Sequence, residues 1–451
     1  MSWLIHEWRL LLRSRLSLMA LLLLLALTAT AVWSGLHEVK RQQQTIARVA
    51  TLQEQEIKAV AAQYGDSGGA GRPAYYTFHN TWDPPSDAAF LALGLRDTAP
   101  YVLRVRALGL QAQLYEGEVF NPELALAGRF DFAFVLIYLV PLFVIALLHD
   151  LVSSESQSGR LRLLLSLPEG ARVWRRRVLL RYGLLCACLT VPPVSGAVAA
   201  GTALSTIGMV LIVAASYLAF WVGLAQLVAT RGWRSVANAT ALMGAWVLLT
   251  LVLPTLANVA LVRAIPVHQG VDLMLAQRQT VHGAWEIPRE ETMQRFFTSH
   301  PEWKDTAPLP AGFHWKWYFA FHQVGDDSVA DQAQAYRAGL LNRQAWTDRI
   351  GWILPGVGAQ AVLHRVAATD LPAQLAYQDR IAEFHRQIRS FYYPYLFNDL
   401  PFTAADFQAR PTFEPLPHAG SSINANELIL LVLCWLIAGL GWWRIDRWRS
   451  G

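Results

Sequence analysis

Six long apolar runs constrain this chain more than any other feature of its sequence. Each run is close to the ~20 residues that an α-helix needs to cross the ~30 Å hydrocarbon core of a bilayer. Only 16% of the 451 residues are charged, against about 25% in soluble proteins. The sequence therefore predicts a mainly α-helical, polytopic membrane protein. Its six spans are predicted at 17–36, 131–150, 182–204, 207–229, 236–262 and 427–442.

The basic residues predict the direction in which the spans run. Four short segments hold 15 of the 38 lysines and arginines in 62 positions, whereas two long segments hold the other 23 in 255 positions. Short segments rich in lysine and arginine stay on the cytosolic side of a membrane. We therefore expect both termini in the cytosol and both long segments outside it. The short segments are 1–16, 151–181, 230–235 and 443–451, and the long ones are 37–129 and 263–424.

Three stretches outside the spans have a predicted structure of their own. Residues 1–16 place leucines and Trp8 on one helical face and arginines towards the other, which predicts an amphipathic helix lying in the membrane interface. A frayed start of the first span is the alternative. Polar, helix-forming sequence after residue 36 predicts that the first span continues outward as a helix to the glycine-rich stretch near residue 65. In the second long segment, residues 370–397 have the apolar spacing of an amphipathic helix.

The two long segments predict two extracytoplasmic insertion domains, one after span one and one after span five. Both are rich in aromatic residues and poor in low-complexity sequence, which is typical of ordered rather than linker-like segments. Together they hold 255 of the 451 residues, so a large part of the chain is expected outside the membrane.

Several chemistries need residue patterns that this sequence lacks. A phosphate-binding loop requires G-x-x-x-x-G-K-[ST], and none of the four lysines stands in that pattern. Ten of the twelve histidines lie in the two long segments, without the spacing of metal ligands, so we expect surface or hydrogen-bonded histidines there. The three cysteines all lie in apolar runs. We expect no metal site and no cofactor bound by this chain.

The spans themselves argue against a proton-driven carrier and against an intramembrane enzyme. A carrier of that kind normally needs ionisable groups in the middle of the membrane, and spans three to five contain none. Ser195, Ser216 and Tyr217 have no partner His, Asp or Lys within those spans to activate them. We therefore expect no catalytic residues in this chain.

The stretch from 130 to 181 carries the most informative pattern in the sequence. Span two ends in a polar hook with a short leucine-rich segment, followed by a dense group of arginines. Within the hook, Glu155, Gly159 and Leu161 precede Leu164-Leu165-Ser166-x-Pro168 and Arg172.

This hook resembles the E-x-x-x-G-T-L…L-L-S-x-P-x-x-R stretch that ABC-2 type permeases place between spans two and three. Arg160 stands where threonine is usual in that family. Motifs in and before span two resemble a subgroup with large extracytoplasmic insertions, related to multicopper-enzyme-maturation permeases. Those motifs are Asn121-Pro122-Glu123, Gly128, Phe130-Asp131, Phe134-Val135 and Tyr138-Leu139-x-Pro141-Leu142.

The resemblance implies a permease subunit of an ABC exporter in a bacterial inner membrane. Two copies, or this chain and a similar permease, would each rest on a separate ATP-binding subunit that holds the ATP and Mg. The hook would contain the coupling helix that transmits motion from that ATPase. The residues expected to contact it are Glu155, Gly159, Leu163, Leu164, Ser166, Pro168 and Arg172.

Two further residue sets each have two interpretations. The basic cluster Arg175, Arg176 and Arg177 belongs to the hook region, and it equally suits an anchor that faces lipid phosphates. By the resemblance, a pathway would lie between subunits and be lined by spans one, two and five. The small or polar groups available for it equally suit packing between helices, and they are Gly223, Gln226, Asn238, Thr240 and Asn258.

A different class of function remains open. The chain also fits a membrane scaffold or mechanotransducer whose extracytoplasmic domains bind a periplasmic protein, for example in metalloenzyme maturation. The hook favours the transporter, because a pure scaffold has no need of it. Nothing in the sequence indicates a nucleic acid partner or names the transported substrate.

Overall fold

A computed structural model of the chain describes residues 7–9, 11, 13–65, 68–115, 129–166, 170–267, 270–417 and 424–447. The protein is mainly helical. Six of its described helical segments are long and apolar enough to cross a membrane, which confirms the predicted number of spans. These segments are Arg15–Tyr64, Phe132–Gln157, Val173–Ala200, Leu204–Ala229, Ser235–Ala264 and Ala425–Ile445.

The first part of the chain consists of one very long helix followed by short elements. Its members, in order, are α1 (Arg15–Tyr64), α2 (Gly71–Tyr76), β1 (His79–Trp82), the 3₁₀ turns Ala89–Leu91 and Gly94–Asp97, β2 (Val102–Val105) and α3 (Leu110–Tyr115). The two strands pair antiparallel, with His79 opposite Val105. Span two is α4, which consists of Phe132–Phe134, a π-helical turn at Val135–Leu139 and Val140–Leu148. The hook contains α5 (Ser153–Gln157) and α6 (Leu161–Ser166), and α7 (Gly170–Ala200) follows it.

The second part begins with two spans joined by tight links. Span four is α8 (Leu204–Ala229), and span five is α9, made of Ser235–Val247, a π-helical turn at Leu248–Val252 and Leu253–Ala264. The remaining elements are α10 (Gly270–Gly283), α11 (Arg289–Ser299), the 3₁₀ turn Pro301–Trp303, α12 (Trp315–Ser328), α13 (Ala330–Ile350), α14 (Pro355–Val366), α15 (Leu371–Phe397), α16 (Ala404–Gln408) and α17 (Ala425–Arg447).

Spans two and four form the centre of the membrane bundle. About two thirds of their most apolar stretches are buried, 61% and 67%, against 6% for span five. Most of the surface of span five therefore faces lipid or another molecule. Helix α14 also packs into this bundle, because Ala359, Val362 and Leu363 belong to the same hydrophobic core as spans two and four.

Helix α1 runs without interruption for 50 residues, and the predicted outward continuation of span one is confirmed. Ser14 precedes it in an extended conformation, with its hydroxyl accepting a hydrogen bond from Ser17 N at 3.4 Å. The helical residues 7–9 thus lie across a break from α1 rather than extending it. The rest of the amphipathic helix predicted over 1–16 falls largely outside the described residues.

The two long segments fold together as one unit, which we call the large domain (described residues 68–115 and 270–417). They share a single hydrophobic core, to which the first segment contributes Val105 and Leu108 and the second contributes Phe319, Ile381 and Phe397. The predicted amphipathic helix at 370–397 is confirmed as α15, and it places Ile381 in that core. The sequence of the two insertions does not indicate that they share a core.

A buried ion pair links the two segments inside the large domain. Asp326 and Arg389, both from the second segment, lie 2.8 Å apart with side chains that are 11% and 8% exposed. Asp326 also accepts hydrogen bonds from the backbone N–H groups of Leu110 (2.8 Å) and Gln111 (3.2 Å). Arg389 donates to the carbonyl oxygen of Leu108 at 2.8 Å. The ion pair therefore holds the first segment in place through hydrogen bonds to its backbone N–H and carbonyl groups.

We predict that Arg389→Gln destabilises the large domain by about 3–5 kcal/mol, because it leaves the Asp326 carboxylate buried without its partner charge. The measurement is urea unfolding of the detergent-solubilised chain, followed by tryptophan fluorescence. Arg337→Gln is the matched control, since it breaks the more exposed Arg337–Asp379 pair (37% and 59% exposed) and should cost at most about 1 kcal/mol. Equal losses in the two variants would contradict the assignment.

Candidate functional site

The hook between spans two and three is held to α7 by a charged contact at Glu155. Its Oε1 accepts a hydrogen bond from Arg177 Nη1 at 3.0 Å, and its Oε2 lies 2.9 Å from Arg160 Nε. Arg177 Nε lies 3.3 Å from Glu7 Oε2, so the same guanidinium also reaches the N-terminal helical residues. Because Glu155 and Arg177 are only 12% and 17% exposed, this contact is largely shielded from solvent.

The hook changes direction at Gly159. This residue has φ +74°, in the left-handed region, and no described atom lies within 4 Å of the place where a Cβ would be. Glycine is thus required there by the backbone and not by lack of space. It ends α5 in the manner of a helix C-terminal glycine and starts the chain towards α6.

Among the leucines of α6 whose side chains are described, one faces outward and two pack inward. Leu163 is 66% exposed, whereas Leu161 and Leu164 pack against the core of the membrane bundle. Ser166 donates its hydroxyl hydrogen to the carbonyl oxygen of Leu163 at 2.8 Å, and so stabilises the end of the helix. Of the predicted contact residues, Leu163 is therefore the apolar side chain that the hook displays.

For two of the predicted hook residues the structure describes no side chain. Pro168 lies outside the described residues, and Arg172 is in α7 with a side chain that is not described. In the basic cluster, Arg177 is paired with Glu155 and lies 5.2 Å from the Trp174 ring. Arg175 lies 6.0 Å from the ring centre of Trp442 in α17. Arg175 and Arg177 thus have different surroundings, and Arg177 is part of the hook's own framework.

Span two connects the hook to the large domain and contains a π-helical turn just before Pro141. Proline has no N–H, so the carbonyl oxygen of Ile137, four residues earlier, loses its helical donor. The Tyr217 hydroxyl of span four donates to that oxygen at 3.1 Å, and Tyr217 is 1% exposed. Trp246 Nε1 of span five donates to the neighbouring carbonyl oxygen of Tyr138 at 3.1 Å. The break in the helix is therefore satisfied by two other spans.

These donors to span two are absent from the sequence-based predictions, although the sequence contains a signal for them. A proline inside a predicted span indicates an unpaired carbonyl oxygen four residues earlier, and a polar side chain in a neighbouring span must then supply a donor. From the sequence alone, Tyr217 is a candidate only for a nucleophile without a partner. Its role in the structure is that of a donor to the backbone of span two.

Residues 86–97, which we call the collar, seat the large domain on the membrane bundle. Phe90 is 1% exposed and lies between two spans. A Cβ at Gly35 of α1 would collide with the Phe90 carbonyl oxygen, and one at Gly196 of α7 would lie 2.7 Å from its ring. Both glycines are thus required by the close approach of this phenylalanine.

The collar is also bonded to span two and to the chain after α14. Leu93 N donates to Asp131 Oδ2 at 2.8 Å, and Asp131 Oδ1 accepts from Phe134 N at 2.9 Å. Asp131 therefore begins span two and holds the collar at the same time. Thr369 donates its hydroxyl hydrogen to the carbonyl oxygen of Ala92 at 2.8 Å and accepts from Leu95 N through its own carbonyl at 2.9 Å.

The structure does not gather the five residues suggested for a pathway into one site. Gly223 and Gln226 face span six, since a Cβ at Gly223 would lie 2.6 Å from Ala438 Cα and one at Gly441 would lie 2.8 Å from Gln226 Oε1. Asn238 is buried and donates to the carbonyl oxygen of His149 at 3.2 Å.

The other two of the five, Thr240 and Asn258, are exposed on span five. For Gly223 and Asn238, the packing interpretation is the one that the contacts favour. Of the five, Thr240 and Asn258 lie on a surface that another subunit would be able to reach.

Two histidines of the large domain make hydrogen bonds to its backbone. His385 is buried with Nε2 2.8 Å from the carbonyl oxygen of Leu108, and His322 Nδ1 accepts from Gly109 N at 3.3 Å. Burial lowers the pKa of both His79 and His322 to about 3, so both are neutral near pH 7. Among the described residues, no three His, Cys, Asp or Glu side chains are arranged to hold a metal ion.

Comparison with known protein families matches part of the chain to the family described as "Domain of unknown function (DUF3526)". The match covers residues 272–415, which lie in the second segment of the large domain and include α14. No curated protein and no solved structure matches the chain. The family match concerns about a third of the chain and does not cover the hook.

We predict that Glu155→Ala loosens the hook, because Arg177 then keeps only Glu7 as a partner among the described carboxylates. Amide hydrogen exchange over residues 153–166 should accelerate by about tenfold, equivalent to about 1.4 kcal/mol of lost local stability. Arg160→Ala removes only the exposed arm of the same contact and should change exchange by less than about twofold. Unchanged exchange in Glu155→Ala would show that the contact does not hold the hook.

We predict that Gly223→Val destabilises the bundle by about 1–3 kcal/mol, because the added side chain must push α17 away from α8. The measurement is thermal unfolding of the chain in detergent. Gly208→Val is the matched control, as Gly208 lies in the same helix and a Cβ there would meet no described atom within 4 Å. A stable Gly223→Val variant would instead favour a pathway role for this position.

Proposed function

We propose that this chain is the membrane subunit of an ABC-2 type exporter in a bacterial inner membrane, with both termini cytosolic. A separate ATP-binding subunit would hold ATP and Mg, and the hook would pass its motion to the spans. The chain itself would be no enzyme and would bind no cofactor. Two permease subunits would pair, with the broadly exposed span five as the contact that this structure favours.

The geometry of the hook is the observation that carries this proposal. A protein that docks here needs an apolar side chain to grip, and Leu163 supplies one at 66% exposure. A docked protein also needs a firm connection to the spans, since a flexible loop would absorb its motion. Glu155 supplies that connection through Arg177 of α7, and Leu161 and Leu164 anchor α6 on the bundle.

The route from the hook to the large domain supports the same function. Span two begins at Asp131, which binds the collar, and it leads directly into the hook at its other end. A movement of the hook would therefore reach the large domain along one helix. The proposal includes export or movement of a substrate on the far side of the membrane.

A second candidate function is a mechanotransducer whose large domain binds a periplasmic protein. The uninterrupted helix α1 favours it, because this helix runs from the bundle to the core of the large domain, where Ile57 is buried. Both functions use the ATPase and the hook, and they differ in whether a substrate crosses the membrane. Transport of a substrate by reconstituted vesicles would separate them.

The test is purification of the full-length chain from native membranes, followed by measurement of ATP hydrolysis in the purified material. We expect an ATP-binding subunit to accompany the wild-type chain, and Leu163→Asp to reduce its recovery by about tenfold through loss of the apolar contact. Leu52→Asp is the matched control, because Leu52 is similarly exposed (56%) but lies on α1 far along from the hook. A wild-type chain that never carries an ATPase would refute the proposal, and full recovery with Leu163→Asp would remove the hook from it.

A further inference from the structure

A cavity of about 330 Å³ opens between spans three, four and six, at the end of the bundle where the hook lies. It falls at the lower end of the ~300–1,000 Å³ range of small-molecule sites. Its walls are almost entirely apolar, and the residues that matter here are Leu179 and Tyr182 of α7, Gln226 of α8, and Trp435, Gly439 and Trp442 of α17.

The cavity opens sideways, towards the surroundings of the bundle. Leu179 and Trp435, on opposite walls, are 51% and 53% exposed, and Gly439 is exposed with no described atom within 4 Å of a Cβ position. These helices are apolar enough to cross a membrane, and an opening on the outside of such a bundle is accessible from the surrounding bilayer. A membrane lipid would enter this cavity without passing through water.

One polar group lies in this apolar wall without a partner. Gln226 is 3% exposed, and its side-chain nitrogen Nε2 makes no hydrogen bond within the described part of the chain. A buried amide donor without an acceptor is unfavourable, so a ligand that carries an acceptor would be favoured over a plain hydrocarbon. The ester carbonyl groups of a phospholipid lie at the top of its acyl chains and provide such an acceptor.

Positive charge lies next to the cavity at the same end of the helices. Arg175 of α7 stands 6.0 Å from the ring centre of Trp442, which lines the cavity. Tryptophans and arginines concentrate at the level of lipid headgroups. The surroundings of the cavity therefore include a cation for a phosphate, an amide for an ester and an apolar space for an acyl chain.

We propose that this cavity binds one phospholipid of the surrounding membrane, with an acyl chain between α7, α8 and α17, an ester carbonyl at Gln226 and the phosphate beside Arg175. The site goes beyond the proposed transport function and does not depend on an ATPase. It assigns Gln226 to lipid binding within one subunit, away from any pathway between subunits.

The test is native mass spectrometry of the full-length chain in detergent, after incubation with dioleoyl phosphatidylglycerol. One lipid per chain should survive collision energies that remove the rest. Gly439→Phe should lower the lipid-bound fraction by about tenfold, because the ring fills the cavity. Gly208→Phe places the same side chain at the other end of α8, where the described structure is also open, and should leave retention unchanged.

A second comparison tests the polar contact. Wild-type protein should retain the diester lipid better than its diether analogue, and Gln226→Leu should remove that preference while keeping a bound lipid. Should Gly439→Phe fail to fold, Leu179→Trp narrows the cavity from the opposite wall and should give the same loss. Equal lipid retention by the wild type and the cavity-filling variants would overturn the proposal. A wild-type dimer that retains no lipid would also overturn it, because the opening would then be covered by a second copy of the chain.

Discussion

The membrane bundle depends on keeping every backbone carbonyl satisfied where no water is available to bind it. Pro141 breaks this requirement within span two, and the Tyr217 hydroxyl restores it at Ile137. Trp246 of span five donates to the neighbouring carbonyl oxygen of Tyr138. The centre of the bundle is thus built around a gap in the hydrogen bonding of one helix, and spans two, four and five are fixed relative to one another by the groups that fill it.

The π-helical turn at this gap also bears on how span two could move. A π-helical turn inside a span is often found at functional sites, because it allows a helix to change its winding locally. Here it lies between the hook at one end of span two and the collar at the other. The hook is locked by Glu155 and Arg177, and the collar is locked by Asp131 and Phe90. The π-helical turn therefore lies between the contacts that hold the two ends of span two.

Hydropathy predicted the membrane-spanning part of this architecture, for clear physical reasons. A bilayer leaves few alternatives for an apolar run of 20 residues, so the six spans and the extension of the first as α1 followed from local sequence. The turn at Gly159 and the outward Leu163 fall within the hook that the motif identified.

Contacts between residues far apart in the chain could not be predicted from the sequence. The shared core of the two long segments is the main example, since nothing near Asp326 or Arg389 indicates that they will hold the backbone at Leu108 and Leu110, more than 200 residues away. In the same way, a glycine at position 223 suits either a pathway lining or close packing between helices. Only the position of Ala438 distinguishes these two interpretations.

The length of α1 has a geometric consequence. Fifty residues of α-helix span about 75 Å, well beyond the thickness of a bilayer. The collar contacts α1 at Gly35, near its middle, so the helix has a pivot with a long arm on each side. Given a rise of 1.5 Å per residue, a tilt of about 10° about that point would sweep the Arg15 end through roughly 5 Å and the Tyr64 end through roughly 8 Å. Rotations too small to open a gap between spans would thus become visible displacements at the far tip near Tyr64.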